Sequence, residues 1–137
     1  MDVNGSHCWT LSAEKYVTAS VKNDKESLAK KGLRLPSKCF TPLPSDYSPE
    51  LERSDELKSD GVQYYQEELV GVLRWAVELG RVDILLEVAL MSTYLAMPRI
   101  GHLHQLYQMV GYLKQYPKQE LAFDPMHPLI CERMFKK

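Results

Sequence analysis

The sequence predicts a mainly α-helical chain, with a long Pro-rich linker and minor strands near its ends. Three observations carry that expectation. Apolar residues recur at three–four spacing in four stretches, about 13–31, 61–79, 82–97 and 101–116. Glycine or proline follows most of these stretches. The last three are joined by links of only a few residues, which makes them antiparallel neighbours.

The elements follow in order. Cys8, Trp9, Thr10 and Leu11 form a short strand signal, and Ser12 is placed to cap a helix. In the first helix Val17, Val21 and Leu28 share a face, with Tyr16 and Ala19 beside them. Gly32 supplies a left-handed stop, and Lys30 and Lys31 suit the negative end of the helix dipole. Pro36, Pro42, Pro44 and Pro49 then break all periodicity, so 33–59 reads as an extended linker. Asp60 and Gln63 resemble a capping box opening the second helix, whose inward face is Val62, Tyr65, Leu69, Val72, Leu73 and Ala76, with Gly80 after it. The third helix turns Ile84, Leu85, Val88, Ala89 and Leu95 inward, tolerates Ser92 on that face, and stops at Pro98. The fourth turns Leu103, Leu106, Tyr107, Val110 and Leu113 inward and stops at Pro117. Gly71 and Gly111 lie inside helices, each at a cost of about 1 kcal/mol against alanine, which points to close packing there. Glu120 to Phe123 is a possible strand, Asp124, Pro125, His127 and Pro128 a turn, and 129–137 has no clear fold and reads as cut off. The organisation is therefore 1–32 (strand and helix), 33–59 (linker), 60–117 (three-helix segment) and 118–137 (start of a truncated strand or tail).

Composition narrows the function. Seventeen Lys plus Arg against 18 Asp plus Glu give a net charge of −1, so any attraction to nucleic acid must come from a local basic surface. Cys8, Cys39 and Cys131 are odd in number and in no metal-ligand spacing, which suits a reducing compartment. Met1 to Trp9 is too polar for a signal peptide, and no apolar run is long enough to span a membrane. The expectation is an intracellular protein, cytoplasmic or nuclear, with no membrane partner.

Dinucleotide, phosphate-loop, serine-elbow and zinc-protease patterns are absent. His102 and His104 sit roughly 200° apart on a helix and read as surface or capping residues rather than ligands of one metal. His127 and Cys131 make only two ligands. Glu78, Arg81, Asp83 and Glu87 cluster at a helix junction, where a fixed ion-pair network is a better reading than a catalytic acid pair. Lys15, Lys22, Lys25, Lys30 and Lys31 on the first helix could meet phosphates, but Asp24 and Glu26 interleave, which favours a solvated face. Tyr64, Tyr65 and Trp75 could stack on bases, though at helical spacing they read as core.

From Tyr64 to Lys114 the wording resembles a known family. Tyr64-Tyr65-Gln66-Glu67-Glu68-Leu69-Val70-Gly71-Val72-Leu73-Arg74-Trp75, then Glu78-Leu79-Gly80-Arg81-Val82-Asp83-Ile84, are similar to a helix and turn of copia-type LTR-retrotransposon polyproteins. Met91-Ser92 through Leu95, Pro98, His102 and Leu103, and Val110-Gly111-Tyr112-Leu113-Lys114, follow in the family's order. Upstream, Trp9-Thr10-Leu11-Ser12 with Glu14-Lys15-Tyr16-Val17, and Thr41-Pro42, are similar to the strand, helix and linker after the palm. Val82 departs from a common proline, and Glu68 is an extra residue before Leu69.

The resemblance covers about residues 9–124 and implies the thumb and connection region between reverse transcriptase and ribonuclease H. It implies no catalytic residues, no cofactor (divalent metal belongs to the intact polymerase), and no polymerisation by this chain alone; Asp83 and Asp124 inherit no catalytic role. Tyr65, Gly71, Trp75, Arg81, Asp83, Pro98, His102 and Tyr112 would be structural motif residues, and Lys15, Lys22 and Lys25 the candidates for nucleic-acid contact. The implied partners are the rest of the polyprotein and, in that setting, an RNA–DNA duplex. A second reading, motivated by Met1 and three amphipathic helices without an active site, is a small helical interaction module derived from a captured fragment.

Overall fold

The computed structural model describes residues 2–3, 6–7 and 9–123. In it a mainly helical body is tied at its ends by short strands. β1 (Asp2–Val3) pairs antiparallel with β2 (Ser6–His7), and β3 (Trp9–Ser12) with β4 (Glu120–Phe123), so the strand expected near Trp9 and the one at Glu120 are each other's partners. Between them lie α1 (Glu14–Lys30), α2 (Ser59–Gln63), a wide π-helical turn (Tyr64–Val70), α3 (Gly71–Glu78), α4 (Leu85–Ser92) and α5 (Ile100–Gln115). The expected turn at Asp124–Pro128, the His127–Cys131 pair and Cys8 lie outside the described residues.

One apolar core joins α1 to the later helices. Val17, Val21 and Leu28 of α1 belong to the same cluster as Tyr65, Leu69, Leu73 and Ala76, Ile84, Val88 and Met91, and Leu106, Val110 and Leu113. Each set repeats at three or four residues, with the buried Asp24 filling the step between Val21 and Leu28, so each helix buries one stripe. Polar groups carried into this core find partners: the Tyr65 hydroxyl donates to Met91 O at 2.8 Å, and Tyr16 to Val72 O at 3.2 Å. Gly32 at φ 70° and Gly80 at φ 117° occupy the left-handed conformations expected of helix-ending glycines. Ser12 is not the cap residue itself: the cap position falls to Ala13, and the Ser12 Oγ, one residue before it, accepts from Glu14 N at 3.3 Å.

Several local expectations need correction. Asp60 and Gln63 do not form a capping box: the helix begins two residues earlier, at Ser59 after Lys58, and the Gln63 amide donates to Glu67 instead. α4 ends at Ser92, well before Pro98: beyond it the N–H groups of Thr93, Tyr94 and Leu95 donate to carbonyls three residues back, and the Ser92 and Thr93 hydroxyls donate to Val88 O and Leu90 O at 2.7 Å. Leu85 and Ala89 point outward, while Met91 takes the inward place. Ala19 and Trp75 are likewise exposed. Gly71 is exposed and an added Cβ would meet only Gln66 O at 3.5 Å, so close packing does not explain it. Gly111 fits that explanation: a Cβ there would lie 2.6 Å from Cys39 Sγ.

Glu68 falls inside the π-helical turn. A turn of this kind absorbs one added residue without rotating the helix beyond it. Tyr65, Leu69 and Val70 therefore stay buried together and Leu73 keeps its place, while Glu68 is displaced to solvent.

The 33–59 linker crosses the body rather than floating free. Leu35, Leu43, Tyr47 and Leu57 pack on the core, Pro49–Leu51 forms a 3₁₀ turn, and Glu56 bridges Arg99. The Arg99 guanidinium donates to Ser54 O at 2.6 Å and Gly101 N donates to Ser54 Oγ at 2.8 Å, which fastens the linker to the start of α5.

Candidate nucleic-acid interface

α1 and α5 lie against each other, and their seam carries a groove of about 250 Å³. Val17, Val21 and Leu113 line it with apolar surface, and Lys22, Lys25 and Lys114 line it with ammonium groups on long stems. All three lysines are exposed, and among the described residues none has an ion-pair partner. Two of the three lysines expected from the sequence thus meet in one place. Lys15 shares their helical face, one turn or more before them, but does not line the groove. Lys114 was not a candidate, since only the packing of α5 on α1 brings it there.

Three cations with no acidic residue in the lining make this seam a local basic surface on a chain of net charge −1. Lysine suits a phosphate as a mobile point charge rather than as a fixed fork.

Asp24 corrects the picture of α1 as simply solvated between its lysines. Its position is four before Leu28 and three after Val21, which is the register of the inward stripe, and it is buried. Burial, and then the charge of Glu68, push its carboxyl from an ordinary 3.8 to about 7. Burial raises the Tyr64 phenol too, with Tyr107 and Asp24 adding to the effect. The Tyr64 hydroxyl is buried without a well-formed hydrogen bond, while Lys31 Nζ sits 3.9 Å over its ring. Lys31 is therefore engaged away from the groove.

The helix junction is held by Arg81, which is fully buried. Its Nε and Nη2 donate to the two carboxylate oxygens of Asp83 at 2.9 and 2.8 Å, and Nη1 donates to Tyr116 O at 2.7 Å. The Tyr112 hydroxyl donates to Asp83 Oδ2 at 3.0 Å, so the turn before α4 is pinned to the last turn of α5. Burial alone would raise the Asp83 carboxyl, but the hydrogen bonds and charge of Arg81, with Tyr112, outweigh it and hold it below its ordinary range. Of the four charges expected to form a network, Arg81 and Asp83 do; Glu78 and Glu87 make no ion pair among the described residues.

His102 is a capping residue, as expected, but a buried one. Its Nδ1 accepts from Arg99 N at 3.1 Å, which leaves Nε2 to donate to Pro49 O at 3.0 Å, and its ring stacks on Tyr94 at 4.3 Å. His104 is exposed. Of the remaining motif residues, Tyr65 and Pro98 are buried and Trp75 lies on the surface. Among the described residues no three His, Cys, Asp or Glu side chains converge as a metal site would need, and no described helix is long and apolar enough to cross a membrane.

Fold and groove together define a helical module with a lysine-lined seam. No family model, curated protein or solved structure matches the chain.

Proposed function

We propose that this chain is a non-catalytic support for a nucleic-acid duplex, equivalent to the thumb and connection segment of a copia-type reverse transcriptase. The convergence of Lys22, Lys25 and Lys114 on one groove carries the reading. The Arg81–Asp83–Tyr112 clamp supports it, because it gives the resembling motif residues a shared structural task. In this reading the lysines hold backbone phosphates of an RNA–DNA duplex, and chemistry belongs to neighbouring parts of a polyprotein.

Fluorescence anisotropy with a labelled RNA–DNA duplex tests it. Binding should weaken with salt at a log–log slope of about −3, as three phosphate contacts require. The triple substitution Lys22→Glu, Lys25→Glu, Lys114→Glu should abolish that binding while the melting curve stays the same. Unchanged binding by the triple variant would refute the assignment of the groove.

A helical interaction module derived from a captured element is the second reading. The outward apolar residues of α4, Leu85, Leu86 and Leu90, favour it. Sequencing the genomic DNA on both sides separates the two, since palm and ribonuclease H coding sequence should flank a polyprotein segment.

A further inference from the structure

α4 is apolar on two sides. Ile84, Val88 and Met91 face the core, while Val82, Leu85, Leu86, Ala89 and Leu90 form a second stripe at three–four spacing that faces outward. Leu86 is 75 % exposed, and on the outward side of α3 Trp75 is 60 % exposed. A helix that is apolar all round belongs in an interior, not on a surface. Between α3 and α4 runs a groove of about 440 Å³, with Leu85 and Ala89 on one wall and Arg74 and Glu78 on the other.

We propose that this face is a two-fold interface between two copies of the chain. Two observations name a second copy as the occupant. Arg74 and Glu78 lie one helical turn apart on the same wall, and neither has an ion-pair partner among the described residues. A two-fold axis between them sets each Arg74 against the other copy's Glu78, so the wall is complementary to itself. The second observation is size. Trp75, Val82, Leu85, Leu86 and Leu90 leave on the order of 500 Å² of apolar side chain open, near the upper end for an isolated monomer. A stable interface takes about 800 Å² from each partner, and this apolar patch would form its centre, with the polar residues around it supplying the rim.

The inference rests on the α3–α4 face alone and is independent of what the α1–α5 groove binds. Sedimentation equilibrium on the full chain tests it. The wild-type chain should dimerise, and Leu86→Asp should weaken the dimer at least about tenfold with an unchanged melting curve. Arg74→Glu, which sets two acids against each other, should weaken it several-fold, and Arg74→Glu combined with Glu78→Arg should restore it. A chain that stays monomeric up to about 0.1 mM would overturn the proposal. So would a dimer indifferent to Leu86→Asp, or one that the double reversal fails to restore. Duplex binding by Leu86→Asp reports separately on the groove.

Discussion

Replacing Asp24 with asparagine should stabilise the protein above neutral pH and do little below pH 4. The carboxyl titrates near 7 in the folded chain against about 3.8 when exposed, because burial and the Glu68 charge oppose its ionisation. A folded-state value raised above the unfolded one means that the folded form holds its proton longer. The stability associated with that proton is complete below about pH 4 and is lost as pH rises through 7. The gap corresponds to roughly 4 kcal/mol at full ionisation, an upper figure that water reaching Asp24 beside the exposed Glu68 would reduce. Asparagine fills nearly the same volume and cannot ionise. Asp24→Asn should therefore gain about 2–4 kcal/mol at pH 8 and less than about 1 kcal/mol at pH 4. For a chain of this size that is a rise in Tm on the order of 10 °C at pH 8. Urea denaturation followed by circular dichroism at intervals from pH 4 to pH 8.5 measures it. A gain that is the same at every pH, or a loss at pH 8, would refute the reasoning.

Arg81→Leu should cost about 3–5 kcal/mol, since it strands Asp83 and Tyr116 O in a half-buried site, and the urea midpoint should fall accordingly. Gly111→Ala should cost about 1–3 kcal/mol, because the new methyl collides with Cys39 Sγ. Adding Cys39→Ala should recover at least half of that loss, a coupling that a double-mutant cycle reads directly. Deleting Glu68 should leave stability within about 1 kcal/mol of wild type, since the π-helical turn reverts to a regular one and the inward stripe persists. Deleting Asn23 from α1 should unfold the chain, because it rotates half of that helix by roughly 100°. Thermal melts of the two deletions distinguish these outcomes.

The helices were legible because their inward residues follow one period and glycine marks two of their ends: Gly32 and Gly80 sit where only a residue without Cβ is at ease. The pairing of β3 with β4 was not, since two four-residue strands more than a hundred residues apart carry no sign of each other. α4 misled for a definite reason. With leucine on both its sides, periodicity cannot tell inward from outward, and Leu85 and Ala89 fall on the wrong one. Pro98 is the only obvious stop in that stretch, whereas the helix ends at Ser92, where the backbone passes into three-residue turns that no sequence signal marks. Asp24 was legible in register but not in chemistry, because a charge among lysines reads as solvated until its burial is seen. The groove was half visible: Lys22 and Lys25 share a face of one helix, but Lys114 joins them only through tertiary packing.

The most direct test of the proposed role is to add an RNA–DNA duplex to the isotopically labelled chain and follow its amide resonances. Perturbations should concentrate at 17–25 and 113–117, along the α1–α5 groove, and fade as salt is raised. A duplex that shifts only resonances of α3 and α4, or none, would contradict the account.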